Sequence, residues 1–528
     1  EDLQRRFDRG ELSRRAFIQA LGAAGVAAAA APLFDPVASA SAAVPDTGAR
    51  VVIIGAGLAG IRCARYLEKQ GVQNIAIYEA SNRLGGRTYT DTTTFEGHAI
   101  EHGAAVISTD HRKVIRMASR LGLSLEEVNG GALPEGEELY LIDGEFYTYG
   151  EASEDWKRAW RAFRDEEAQA PWPQQFDSFT ARGKQLDEIS IPEWFDPDHP
   201  HANNVLARRF GPDSRFAKFC YTSAIAEWGG EHTAMPALNL LYMLAWNGNS
   251  LASTTGSDGR YHIVGGNDQL AKGMAERLST PVHLDTALLG ISGSAAGPYT
   301  CHMSDGSSVE ADKLVLTLPF NILRGLDICA EIWSGFRPAK QRAINELPMG
   351  TNTKVHVGLT HRTWGPGYER SINGHDVQMN GIIYTEPEGL QLGWEETVHA
   401  APGQPLVYGQ FLGGIQGANL KGSEPFGRAH RADVRRFLRG AEAFNPGFEA
   451  SYTGTSLKSD WASAPGYGGA YVHPGIGGYT SYHGSQELQE GNIHFAGEHT
   501  CMEYGGYMEG ALRSGVRAGQ EILADLAG

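Results

Sequence analysis

Cysteine is scarce in this chain. Five are scattered through 528 residues (Cys63, Cys220, Cys301, Cys329 and Cys501), with no C-x-x-C pair and no His/Cys spacing suited to a metal. That odd count and wide spacing exclude a disulfide framework, and no metal site is expected. His199 and His201 lie in a Pro/Asp loop without a third ligand at metal spacing. Cys63 reads as a small buried apolar residue. Positive charge is also short: 45 Lys+Arg against 62 Asp+Glu leave a formal net charge of −17. This excess of acid argues against nucleic acid and against docking on an anionic membrane surface. It suits attraction of cationic small molecules. Long apolar runs are missing too. Ala20–Ala31 falls short of the roughly 20 residues needed to cross a bilayer.

The N-terminus carries an address rather than a fold. Ser13-Arg14-Arg15-Ala16-Phe17-Ile18 precedes the Ala/Gly-rich run, and Ala38-Ser39-Ala40 follows as a small-residue cleavage site. Twin arginines ahead of such a run read as a bacterial twin-arginine signal, which exports folded proteins to the periplasm or beyond. Residues 1–45 are therefore set aside, with no stable membrane insertion expected once they are removed. The remaining chain exceeds the size of one hydrophobic core, so two domains are expected.

The rest is organised around Arg50–Gly60, RVVIIGAGLAG. Val51–Ile54 reads as a buried parallel strand. Gly55-x-Gly57-x-x-Gly60 then leads into a helix-like segment, Ile61–Gln70. The glycines permit a tight turn, close approach to a pyrophosphate, and tight helix–strand packing. The helix start offers free N–H groups and a positive dipole end. A second strand-like run, Asn74–Tyr78, ends in Glu79, placed to grip a ribose hydroxyl. Arg83-Leu84-Gly85-Gly86-Arg87-Thr88 follows at once, and guanidinium groups fork onto phosphate oxygens.

This run resembles the flavin-containing amine oxidase family, which includes monoamine oxidases, polyamine oxidases and L-amino-acid oxidases. The resemblance spans about residues 50–525. It implies an α/β fold: a Rossmann-like FAD-binding domain of the GR2 type with an inserted α+β substrate domain. The FAD domain is expected to be discontinuous, at 46–128, 255–330 and 451–528, with the substrate domain at 129–254 and 331–450. FAD is implied as cofactor, held by Gly55, Gly57, Gly60, Glu79, Arg83, Gly86 and Arg87. Ala104 stands in a flavin-contact loop, and Val282 is placed beside the adenine.

At the C-terminal end, Trp461, then Gly-Tyr-Gly-Gly-Ala-Tyr to Tyr471, then Phe495-Ala496-Gly497-Glu498 and Gly506-Tyr507-Met508-Glu509-Gly510 resemble the closing FAD segment of monoamine oxidases. Glu498 should bond the ribityl hydroxyls. Tyr507 and Met508 open a helix facing the flavin's pyrimidine edge. Tyr471 and Tyr507 match the aromatic pair that flanks the amine path. Lys354, in the strand-like alternation after Gly350, matches a lysine holding a water against flavin N5. Where animal monoamine oxidases carry the cysteine that bonds the flavin, this chain has Ala470, so non-covalent FAD is expected. Amino-acid oxidases carry an arginine for the substrate carboxylate where this chain has Val106, and Arg112 lies six residues on.

The activity implied is oxidation of a small amine by hydride transfer to flavin N5, with dioxygen reoxidising the flavin to give hydrogen peroxide. Rival readings are an L-amino-acid oxidase, an amine dehydrogenase using a carrier protein, and a non-catalytic flavin-binding protein. Whether the chain forms a homodimer is left open.

Overall fold

Alternate residues of one short strand serve two different cores. In the computed structural model, which describes residues 48–128, 136–251, 257–400 and 403–527, the strand β1 (Val51–Ile54) is wholly buried. Val51 and Ile53 pack into one hydrophobic cluster, Val52 and Ile54 into another. A strand buried on both faces needs a continuous apolar run, and a parallel sheet with covered faces supplies that setting. The first helix, α1 (Leu58–Lys69), leads to β2 (Ile75–Tyr78), followed far along the chain by β3 (Val282–His283), β4 (Lys313–Leu316) and β5 (Ile493–Phe495). They form a parallel sheet in the order β5-β4-β1-β2-β3. The closing helix α2 (Met508–Ala527) packs along α1. This is a Rossmann-like α/β fold.

The α1–β1 contact is very close. A Cβ at Gly60 would lie 2.0 Å from Gly55 O, so any larger residue pushes the helix off the strand.

A second, eight-stranded mixed sheet runs in the order Phe426–Gly427, Tyr452–Asp460, Thr353–Leu359, Leu406–Leu412, Leu392–Glu395, Met379–Thr385, Glu137–Ile142 and Glu145–Thr148. The expected boundary at 450 falls two residues before a strand of this sheet. Beside it packs a helical layer with its own aromatic core, including Trp156, Phe163, Trp194 and Tyr479. Its longest member, Tyr149–Gln169, is started by a Thr148/Glu151 capping box. Another, Arg215–Trp228, ends at Gly229 in the left-handed region. Asp268, at the N-cap of Gln269–Ala275, makes no side-chain cap bond and instead pairs with Lys272 at 2.7 Å. Among the described residues no helix is long and apolar enough to cross a membrane.

Candidate active site

The parallel strands point their carboxyl ends into one large cavity of about 1320 Å³. Ile54 and Gly55 after β1, Glu79 after β2, Thr317 after β4, and Gly497 and Glu498 after β5 all line it. Crevices at these strand ends are where open α/β sheets bind ligands. The start of α1 has no side-chain cap and no acid in its first turn. Gly57, Leu58 and Ala59 all line the cavity, so this uncapped positive helix end opens onto it. Glu79 accepts from Ala56 N at 2.8 Å, Ser81 N at 2.9 Å and Ser81 Oγ at 2.7 Å. Its carboxylate is thereby aimed while keeping acceptor capacity.

On the far side Arg87 donates to Glu498 at 2.7 Å and to Ala470 O at 2.8 Å. Glu498 also accepts from Gly506 N at 2.6 Å. This ties the glycine-rich turn near the N-terminus to the closing segment of the chain. Gly86, Ala104, Trp461 and Met508 line the same cavity. Trp461 is oriented by its indole N–H, which donates to His102 O at 2.8 Å.

Three residues expected as cofactor contacts are not in the cavity lining. The guanidinium of Arg83 is outside the cavity lining: it stacks 4.2 Å from the Tyr89 ring and donates to Tyr467 OH at 3.0 Å. Aromatic faces hold this cation where a phosphate was expected to. Val282 pairs with Ile77 in the sheet and turns its side chain to the core beneath, and Thr286–Leu288 reach the cavity instead. Gly60 also stays out of the lining; its part is the close packing of α1 on β1.

Lys354 is the second residue of Thr353–Leu359 and, among the described residues, the one lysine in the cavity lining. Its ammonium donates to Glu101 O at 3.0 Å and Gly103 O at 3.1 Å. Burial lowers its pKa, opposed by the charges of Glu396 and Glu101. Burial works against the Glu396 carboxylate as well, but the hydrogen bond from His356 at 3.0 Å and the Lys354 charge outweigh it and hold Glu396 at about 2. Burial pushes the Glu101 carboxyl up.

Tyr471 and Tyr507 share the cavity, and adjacent residues anchor both. Tyr471 OH donates to Ala226 O at 2.9 Å, and Tyr507 OH donates to Glu227 at 2.7 Å. Burial raises the pKa of Tyr471, so its phenol stays neutral.

A family profile described as flavin containing amine oxidoreductase matches residues 58–523 of this chain. The chain belongs to that family. As a flavin-containing amine oxidoreductase it uses FAD and acts on amines. It is 25% identical over 494 residues to an amine oxidase [flavin-containing] from Danio rerio, covering 90% of this chain and 85% of the relative. It is 27% identical over 538 residues to a nicotine dehydrogenase from Pseudomonas putida, covering 97% of each. Its fold matches cyclohexylamine oxidase from Brevibacterium oxydans with a TM-score of 0.72 at 19% identity, over 91% of this chain and 100% of that one.

The residues present fit FAD. The uncapped start of α1 and the Arg87 guanidinium suit a diphosphate, and Glu79 and Glu498 present carboxylates suited to hydroxyl groups. The cavity exceeds the roughly 300–1,000 Å³ of ordinary ligand pockets, leaving room for a substrate beside a dinucleotide. The reading of the sequence missed Glu227, His356 and Glu396. Packing alone sets Glu227 and Glu396 at the site, whereas His356 shares a strand with Lys354 two residues away, a spacing that could have found it.

Proposed function

We propose that this flavin-containing amine oxidoreductase removes a hydride from the carbon beside an unprotonated amine nitrogen. The imine left behind is hydrolysed to a carbonyl compound and ammonia or an amine. FAD, when bound, accepts the hydride and passes two electrons to dioxygen, giving hydrogen peroxide. The observation that carries this reading is the shared anchoring of Tyr471 and Tyr507 on one cavity wall. Two phenol rings offer negative faces and apolar area to an amine. Lys354 brings a donor, held by two backbone carbonyls, to the same cavity.

Among the described residues Arg87 is the sole arginine in the lining and is already paired with Glu498, while Val106 lines the wall as an apolar residue. That speaks against a carboxylate-bearing substrate such as an amino acid. With Ala470 in place of a cysteine, FAD is held without a covalent bond. The twin-arginine segment, outside the described residues, supports export.

A second reading concerns the electron acceptor. The nicotine dehydrogenase relative aligns over 97% of this chain, against 90% for the Danio rerio amine oxidase. Transfer to a carrier protein instead of dioxygen is the alternative this favours.

One experiment tests the reading. The purified yellow protein is mixed anaerobically with a panel of amines and amino acids, then exposed to air. Amines, not amino acids, should bleach the flavin band, and air should restore it with release of peroxide. Bleaching without reoxidation in air moves the protein to the carrier-dependent class. A panel in which no amine bleaches the flavin removes the oxidase reading. Flavin left on the acid-denatured chain would overturn the non-covalent assignment.

A further inference from the structure

A second chamber, of about 130 Å³, adjoins the cavity. Glu227, Trp228, Met243 and Trp246 line both spaces. An apolar cavity of about 150 Å³ holds a benzene ring, so the chamber takes a group of roughly five or six heavy atoms.

The helix Arg215–Trp228 ends at the chamber mouth with no basic residue in the last turn, which brings the negative end of a 14-residue helix to the chamber. The Glu227 carboxylate stands at the same place and accepts from Tyr507 OH at 2.7 Å. Five aromatic side chains form the walls: Trp172, Trp228, Tyr242, Trp246 and Tyr479. Trp172 and Tyr242 pack edge to face at 5.2 Å, and Tyr242 and Tyr479 at 5.7 Å, so these walls brace one another.

Buried polar atoms there, acceptors and donors alike, have no partner among the described residues; the Trp228 indole N–H is one of the donors. Gln486 Oε1 has no hydrogen bond among the described residues, and neither ring nitrogen of His499 has one. Both side chains line the chamber and are 4% and 3% exposed. Among the described residues no lysine or arginine lines it. Burial lowers the pKa of His483 to about 4 and that of His499 well below its ordinary value, so both imidazoles are neutral. Glu503, the other carboxylate at the chamber, is paired with Arg513 at 2.9 Å.

We propose that this chamber receives a second, cationic nitrogen of the substrate, so that the enzyme acts on amines carrying another basic nitrogen in preference to plain monoamines. The inference rests on the amine-oxidation reading above. A cation with N–H groups meets a carboxylate, a helix C-terminus, aromatic faces and unpartnered acceptors together. An apolar tail would leave those acceptors buried and unbonded, which costs binding.

The test uses the holoenzyme and two substrate pairs that differ only at the remote nitrogen. These are 1,4-diaminobutane against n-butylamine, and 4-(aminomethyl)piperidine against cyclohexylmethylamine. In the wild type, kcat/KM should favour the second-nitrogen member by about 10- to 100-fold, mainly through KM. In Glu227→Gln that ratio should collapse toward one, and Glu227→Asp should recover part of it. If Glu227 only supports Tyr507, both members fall together and the ratio survives, which overturns the proposal. A wild-type ratio at or below one, with both amines still bleaching the flavin, also overturns it while leaving the amine-oxidation reading intact. Should Glu227→Gln fail to retain flavin, the wild-type ratio alone decides. If no amine in either pair bleaches the flavin, both readings fall.

Discussion

Lys354 shows how little of a residue's role lies in its neighbours along the chain. A lysine in a strand ordinarily faces solvent. Here Thr353–Leu359 is an interior strand of the eight-stranded sheet, and the side chain meets the Glu101 and Gly103 carbonyls from a segment about 250 residues earlier. Replacing it with methionine keeps the length and removes the donor. Lys354→Met should leave two buried carbonyls without that donor, at a cost of about 1–3 kcal/mol each where no water reaches them. It should also slow flavin bleaching by a saturating amine by about 10² or more, on the scale of losing one preorganised donor. Stopped-flow absorbance gives the rate, and an unchanged rate takes Lys354 out of the chemistry. Arg83 shows the converse: a residue in a recognisable motif whose guanidinium is taken by Tyr89 and Tyr467.

At the scale of elements, the decisive unit is the β1–turn–α1 passage. Its continuous burial, its glycines and its uncapped helix start belong to one short stretch, so a local reading captures it. The turn is narrow because α1 must lie almost on the backbone of Gly55. Gly60→Ala should tilt α1 away from β1 and open the cradle. The expected result is a stability loss of about 1–3 kcal/mol and loss of FAD on gel filtration. A variant with full flavin occupancy and an unshifted melting temperature would mean that the helix can slide without harm. The C-terminal end of Arg215–Trp228 is the opposite kind of element. Its periodicity is legible, but nothing along the chain says that Ala226 and Glu227 will meet Tyr471 and Tyr507, which lie 245 and 280 residues further on.

Across the whole molecule, burial of imidazoles makes stability depend on pH. Burial lowers His102 to about 3, and His473 and His483 to about 4, while an unfolded histidine titrates near 6.5. Their contribution to stability is complete above roughly pH 6.5 and is lost as the pH falls toward those values, because the unfolded chain binds the protons first. Asp187 works the other way. Burial raises it to about 6, against hydrogen bonds from Thr480 and Tyr479, so its contribution is present at low pH and is lost as pH rises through that value. Near pH 5 the balance is an uptake of about two protons on unfolding, or about 3 kcal/mol lost per pH unit. Denaturant midpoints should fall steadily between pH 6.5 and 5. A flat profile would mean that these imidazoles are charged in the folded state.

The sequence alone determined the parts written in consecutive residues: the β1–α1 cradle with Glu79, the Arg87 turn, the closing Glu498–Met508 segment, and with them the FAD-binding fold. Such motifs are legible because backbone conformation and helix dipoles are local properties. Tertiary structure alone decided which of those residues face the cavity. It left Arg83 and Val282 out of the cavity lining, brought Glu396 up to Lys354 and His356, and set Glu227 against Tyr507 where the two chambers adjoin. Those placements depend on packing between segments from tens to hundreds of residues apart, where burial and pairing, not spacing, choose a side chain's partner.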